Sequence, residues 1–330
     1  MRSLGSFLIF TLSCYQSNAL FQTSELDLCH VAEKQDNIQM DMAVNSADYH
    51  FVHSTESDRI AIDYIQEEKN HSTFFSDAWL KASQEWKNKK SEVIISEGML
   101  DEHFIAILCY TLDSPPLYRY FNQAIRNYGV NDEMYAKCFP YKSLHYLLSV
   151  ALSILKSSAW QPGPRAQVYR GIDKKVQVSE GAHVRFGQFA STSLNMYQSV
   201  STFTKKGTGT STLFNITTAH GVSIEKISFF RSEEEVLIPP YEVFNVTKIV
   251  DWKGENGLLG VNIVLSSIGT RQREVELQSD GPGHLKLVRV LVPASFWWVF
   301  ILTILLVLLL LAAGIMLVKK WKSIAGSCTI

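Results

Sequence analysis

Arg231-Ser232-Glu233-Glu234-Glu235-Val236-Leu237-Ile238-Pro239-Pro240 runs three adjacent carboxylates straight into an apolar segment. Side chains of an extended chain alternate between faces, so the stretch predicts Glu233 and Glu235 on one side of a strand and Glu234 on the other. Two carboxylates on one side suit two tasks. One stabilises positive charge building on a sugar carbon, and the other holds or deprotonates a nucleophile. Taken alone, an acidic, solvated turn ahead of a strand is the simpler reading, so the surrounding sequence has to decide.

The carboxylates lie in the second of two textures, which change at Gln161-Pro162-Gly163-Pro164. After it, short segments rich in Val, Phe, Ile and Thr are punctuated by Gly: 167–169, 182–186, 211–217, 223–230, 235–238, 244–250 and 260–265. These predict strands. Before it, Phe75, Ala78, Trp79, Ala82 and Trp86 recur at three- and four-residue steps, as do Leu144, Leu147, Leu148, Ala151, Leu152 and Leu155. Both sets describe the apolar face of a helix. Ser114-Pro115-Pro116 breaks the chain and restarts a helix through Leu117, Phe121 and Ile125. Helices first and strands after give an α+β class. No G-x-G-x-x-G follows a strand, so a doubly wound dinucleotide fold has no support.

The ends of the 330-residue chain point to export. Arg2, the apolar run from Leu4 to Leu12 and Ser17-Asn18-Ala19 predict a signal peptide over residues 1–19. Phe296 to Val318 carries no charge, with Trp297 and Trp298 at one edge and Lys319, Lys320 and Lys322 at the other. This predicts a transmembrane helix over 296–318 with a cytoplasmic tail over 319–330, the alternative being a glycolipid-anchor signal that is removed. Between the ends, 20–280 is expected to form the main domain and 281–295 a stalk. Sequons at Asn70, Asn215 and Asn245 agree with export. Of five cysteines, Cys14 leaves with the signal peptide and Cys328 lies in the tail, which leaves Cys29, Cys109 and Cys138. Three is odd, so one is free or pairs between chains, and Cys109–Cys138 is the expected bridge. A net charge of −1 argues against a nucleic-acid partner reached by bulk electrostatics. The nine histidines show no metal-ligand spacing, and no metal is implied.

Three stretches in order resemble a family, the vertebrate ecto-ADP-ribosyltransferases of the arginine-specific type. Val168-Tyr169-Arg170-Gly171 is similar to the family's Arg strand, Gln188-Phe189-Ala190-Ser191-Thr192-Ser193 to its Ser-x-Ser, and Glu233-Glu234-Glu235 to its Glu-x-Glu. The resemblance runs from about Leu26 to Ser266 and includes Phe121-Asn122 and Lys142-Ser143-Leu144-His145. It implies a β-rich core of two packed small sheets behind an N-terminal helical part. It also implies an enzyme that cleaves NAD, or NADP, and transfers ADP-ribose to arginine on protein partners at the cell surface or in the secretory pathway.

By the same resemblance Arg170 binds the phosphates, as a planar guanidinium suits. Gly171 admits the backbone close to the nicotinamide, Ser191 orients Glu235, Glu235 faces the ribose cation and Glu233 engages the acceptor guanidinium. Phe203 is expected to stack on the nicotinamide, with Gln188, Tyr110 and Ser228 as further contacts. Cysteines common in the family are missing near Val52-His53-Ser54, near Pro164-Arg165-Ala166 and between Ile268 and Val275, which leaves the usual disulfide framework open. Two other functions remain: an NAD glycohydrolase, with water as acceptor, and a silent surface binding protein on the same fold.

Overall fold

Ser54 and Ser72 each turn a side-chain oxygen back onto a backbone N–H, of Ser57 at 3.0 Å and of Phe75 at 3.1 Å, and a helix starts at each. In this computed structural model the described residues are 38–157, 161, 163–204, 210–253, 259–271, 273–281, 284–290 and scattered positions between 304 and 316. The signal peptide, Cys14, Cys29, the tail with Cys328 and most of Phe296–Val318 lie outside them. No helix among the described residues is long and apolar enough to cross a membrane.

The helical part comprises α1 (Thr55–His71), α2 (Thr73–Lys89), α3 (Asp101–Thr111), α4 (Leu117–Asn127), α5 (Asp132–Cys138) and α6 (Lys142–Lys156). The apolar stripes read from the sequence on α2 and α6 are buried, and Trp86 stacks on Phe104 of α3 with ring centres 4.2 Å apart. Glu68 of α1 reaches under α6 and accepts from the Ser143 N–H at 3.1 Å and from the Ser143 hydroxyl. A carboxylate at a helix N-terminus is favourably placed. His145 is buried and hydrogen-bonded to the Tyr135 hydroxyl at 3.0 Å, and burial pushes its pKa down to about 3.

The strands are β1 (Ile38–Gln39), β2 (Tyr49–Phe51), β3 (Ala166–Ile172), β4 (Val176–Gln177), β5 (His183–Val184), β6 (Ala190–Ser193), β7 (Thr210–Thr218), β8 (Val222–Ser223), β9 (Glu235–Ile238), β10 (Glu242–Lys253), β11 (Leu259–Thr270), β12 (Arg273–Gly281) and β13 (His284–Arg289), with a helix α7 (Met196–Thr204) between β6 and β7. The expected two small sheets are one ladder of eight, ordered β5-β10-β11-β7-β3-β6-β9-β8. It narrows between β3 and β6 to a single residue pair, Tyr169 with Ser193. Strands β13, β12 and β2 form a second sheet, and β1 pairs with β4.

Alternation along β9 fixes the layering. Val236 and Ile238 enter the core of the sheet with Val168, Ala190 and Phe214, while Leu237 enters the helical core with Phe189 and Ile224. Glu235 shares the parity of Leu237 and so sits at the edge of the helical side.

Three expectations are corrected. The expected stalk, 281–295, takes in the end of β12 and all of β13, whose Leu285 is buried, and the compact unit runs through Val288. Segment 223–230 is strand only at its start. The Ser228 N–H then donates to the Ile224 carbonyl at 2.8 Å, and the chain turns because Ile224 and Ile227 both enter the helical core. Cys109 is a free, buried thiol, whereas Cys138 is disulfide-bonded, so the two do not pair. Cys109 is packed inside α3, and burial pushes its pKa far up.

Near Val52, where a cysteine common in the family is absent from this sequence, charge ties the layers. Asp48 accepts from Arg185 at 2.7 Å and from Arg273 at 2.7 Å, and Arg185 also donates to the Met42 and Ala43 carbonyls.

Candidate active site

The seam of the ladder meets the last turns of α3 and α4, where Tyr110 and Asn122 reach Phe189 and Ser191. Gly187 opens the approach to β6 with a φ of +61°, and a Cβ there would lie 2.3 Å from the Ala43 side chain, so only glycine fits. From there β6 pairs antiparallel with β9, setting Ser193 opposite Glu235 and Ser191 opposite Leu237. Ser191 and Glu235 are therefore diagonal neighbours on one face, within reach of each other's side chains.

Glu235 is buried, its carboxylate accepts from the Ser228 hydroxyl at 3.2 Å, and the Ser191 hydroxyl lies diagonally across from it on β6, close enough to bear on its charge. Burial pushes its pKa up to about 7; the nearby charge of Glu233 adds to the rise, and the two hydroxyls and Arg170 oppose it. The turn that ends β8 early is what delivers Ser228.

Arg170 leaves β3 opposite Phe214 and donates to the Ser191 carbonyl at 2.5 Å. Its guanidinium is held below the ordinary range by burial, with Tyr110 and Glu235 opposing. Gly171 follows it in β3, paired with Leu213. Tyr110, expected as a ligand contact, is buried. Its hydroxyl donates to the Phe189 carbonyl at 3.0 Å and accepts from Asn122 at 3.1 Å and from Ser191 at 3.4 Å. Gln188 is half-buried on the approach to β6. Phe203 lies in α7, and its side chain is outside the described residues.

Glu233 does not share a strand with Glu235. Residues Arg231–Glu233 form a 3-10 turn, and Glu234 adopts a left-handed conformation with φ 47° and ψ 47°. Simple alternation fails because β9 begins only at Glu235. The turn still leaves Glu233 exposed and close enough to Glu235 to raise its pKa. Glu233 is itself raised, by partial enclosure first and by Asp113 second. The loop is pinned from the helical side: Lys89 donates to the Ser228 carbonyl at 2.7 Å, Thr111 accepts from the Phe229 N–H at 3.3 Å, and Arg231 pairs with Glu92 at 3.0 Å.

Sequence reasoning missed Arg126. It lies four residues after Asn122 on α4, hence on the same helix face. Arg126 keeps an exposed surface, and its pKa is lowered by partial desolvation first and by the charge of Arg170 second. Among the described residues neither Arg126 nor Arg170 has an ion-pair partner. Two arginines thus lie close enough to affect each other's charge, and Arg170 in turn is near the buried carboxylate of Glu235. The i, i+4 spacing after Phe121-Asn122 was the available signal.

Comparison with known proteins agrees with this architecture. A family model described as NAD:arginine ADP-ribosyltransferase matches residues 40–272. The chain belongs to the NAD:arginine ADP-ribosyltransferase family. It is 38% identical over 197 residues to Ecto-ADP-ribosyltransferase 5 of Bos taurus, covering 59% of this chain and 60% of that protein. It is 35% identical over 239 residues to NAD(P)(+)--arginine ADP-ribosyltransferase 2 of Gallus gallus, covering 71% of each. The chain thus spans less than two thirds of the bovine relative. Among solved structures, the eucaryotic mono-ADP-ribosyltransferase ART2.2 superposes with a TM-score of 0.57 at 30% identity, over 74% of this chain and 97% of that one. A mutant of ART2.2 has been crystallised in complex with NAD. Among the described residues no group of His, Cys, Asp and Glu could hold a metal ion.

Proposed function

We propose that the protein is a mono-ADP-ribosyltransferase that cleaves the nicotinamide–ribose bond of NAD, or of NADP, and passes ADP-ribose to arginine on other proteins. The observation that carries this reading is Glu235, a buried carboxylate that accepts from Ser228, has Ser191 as its diagonal neighbour and is near enough to Arg170 for each to shift the other's pKa. Departure of nicotinamide leaves an oxocarbenium-like ribose. A fixed carboxylate in a dry site stabilises that cation more than it stabilises the substrate. Arg170 and Arg126 bind the diphosphate, whose two charges relieve their mutual repulsion. Gly171 leaves backbone free for the nicotinamide amide, and Gln188 and Phe203 line the approach. Glu233 takes the acceptor guanidinium in a fork-to-carboxylate contact and accepts its proton, and its raised pKa makes it the stronger base.

The full chain incubated with labelled NAD and agmatine tests this reading, with label on agmatine as the expected product. Glu233→Gln should cut transfer far more than it cuts NAD hydrolysis. Equal loss of both would turn the assignment toward a glycohydrolase, and no NAD binding by calorimetry would turn it toward a silent binding protein.

A cell-surface or secretory setting is the matching location. Relatives named as ecto-enzymes support it, as does a GPI-linked arginine ADP-ribosyltransferase of Mus musculus, 37% identical over 191 residues. Attachment through 296–318 agrees with the helical, exposed apolar residues at Ile304 and Leu308.

A further inference from the structure

Tyr110 has one hydroxyl hydrogen, and the Phe189 carbonyl takes it at 3.0 Å. What the hydroxyl shows to its other neighbours is therefore lone pairs. Asn122 fills one of them with its Nδ2 at 3.1 Å, in an orientation that leaves the Asn122 Oδ1 buried and without a partner. The other lone pair faces Ser191 Oγ at 3.4 Å. Ser191 also has a single hydrogen, which the Tyr110 oxygen takes at 3.4 Å, and the Glu235 carboxylate, its diagonal neighbour across the β6–β9 pair, is the rival acceptor. With Glu235 ionised, the charged acceptor wins the hydrogen. With Glu235 protonated, the hydrogen turns to Tyr110, and Ser191 Oγ is free to accept from the acid. A hydrogen bond made in only one protonation state shifts the balance between the two states.

We propose that Tyr110, aimed by Asn122 and the Phe189 carbonyl, is a positioning residue that sets the direction of the Ser191 hydroxyl and through it the charge of Glu235. It is buried and its hydroxyl is already engaged, so it acts from behind the site and does not touch the dinucleotide. The other groups facing Glu235 are Ser228, Glu233 and Arg170, with Arg126 beside Arg170. None of them bonds to the Tyr110 hydroxyl.

The proposal rests on the transferase reading, and its test is a set of opposite signs. In the full chain, Tyr110→Phe keeps the ring packed against Phe121 and Phe189 and removes only the rival acceptor. The acid limb of the kcat/KM profile for NAD should move down by about half a pH unit, the scale of one weak hydrogen bond. Asn122→Leu frees a lone pair on Tyr110, strengthens the rival, and should move the limb up. Ser191→Ala removes the donor to the carboxylate and should also move it up. The 13C carboxyl shift of Glu235, titrated without substrate, should follow the same three directions whether or not the chain transfers ADP-ribose. That readout separates this inference from the functional reading, because a chain inactive on NAD would still titrate. An unmoved Tyr110→Phe, or Tyr110→Phe and Asn122→Leu moving in one direction, would overturn the proposal and leave both residues as packing alone.

Discussion

Glu235→Gln should make the protein more stable above neutrality while removing its chemistry. Burial raises the Glu235 pKa from the ordinary 4.5 to about 7. The ionised form is thus disfavoured in the folded state relative to the unfolded chain. The sign follows by linkage: the folded state binds the proton more tightly, so the Glu235 contribution to stability is fully present below pH 4.5 and is lost as pH rises through about 7. At roughly 1.4 kcal/mol for each pH unit between the two values, the full penalty is about 3 kcal/mol. Gln keeps the shape and an acceptor for Ser191 and Ser228 but carries no charge. Denaturant unfolding should therefore show little difference between wild type and variant at pH 4, and a gain approaching about 3 kcal/mol for the variant at pH 8. NAD cleavage by the variant should fall by about 10²–10³-fold, the scale of losing one preorganised electrostatic group. The wild-type kcat/KM should rise tenfold per pH unit below about 7 and level off above it. A variant no more stable than wild type at pH 8, or one that still cleaves NAD, would refute the reasoning.

Asp48→Asn should destabilise the fold by about 3–5 kcal/mol, because it strips the counter-charge from buried Arg185 and from Arg273 together; chemical denaturation measures it. A chain ending at Gly281 should lose about 2–3 kcal/mol against one ending at Arg289, the scale of burying one leucine such as Leu285, and differential calorimetry of the two would show the gap. Cys109 should resist thiol reagents in the native protein and react once it is unfolded, which peptide mapping after alkylation would resolve.

The helices α2 and α6 were legible because each buries a stripe against one core, and periodicity reports that directly. Strands β3, β7 and β9 were legible for the same kind of reason. Segment 223–230 was not, since Ile224 and Ile227 are as apolar in a turn as in a strand, and only the helical core they enter decides between the two. Strand β12 was missed because its charged outer residues, such as Arg273 and Glu274, hide an alternation of Val275 and Leu277 that packs on one side only. Arg170, Ser191 and Glu235 were named through the resemblance of three ordered motifs to one family, since none of the three short stretches is distinctive by itself. Arg126 belongs to α4, and its part in the cleft comes from folding, as does the inward role of Tyr110. The Glu233 position shows the limit of strand alternation, since one left-handed residue at Glu234 is enough to break it.

The seam between β3 and β6 is one residue pair wide, and it divides the cleft into two banks. Arg170 stands on one bank, Ser191 and Glu235 on the other. The single pair is not the whole joint, because α7 packs on both strands and its Ser199 hydroxyl donates to the Tyr169 carbonyl at 2.9 Å. The Arg170 guanidinium also latches across the seam onto the Ser191 carbonyl. Any ligand group that drew the guanidinium away would leave the Ser191 carbonyl without this donor, so occupancy of Arg170 and the tie between the two banks are coupled.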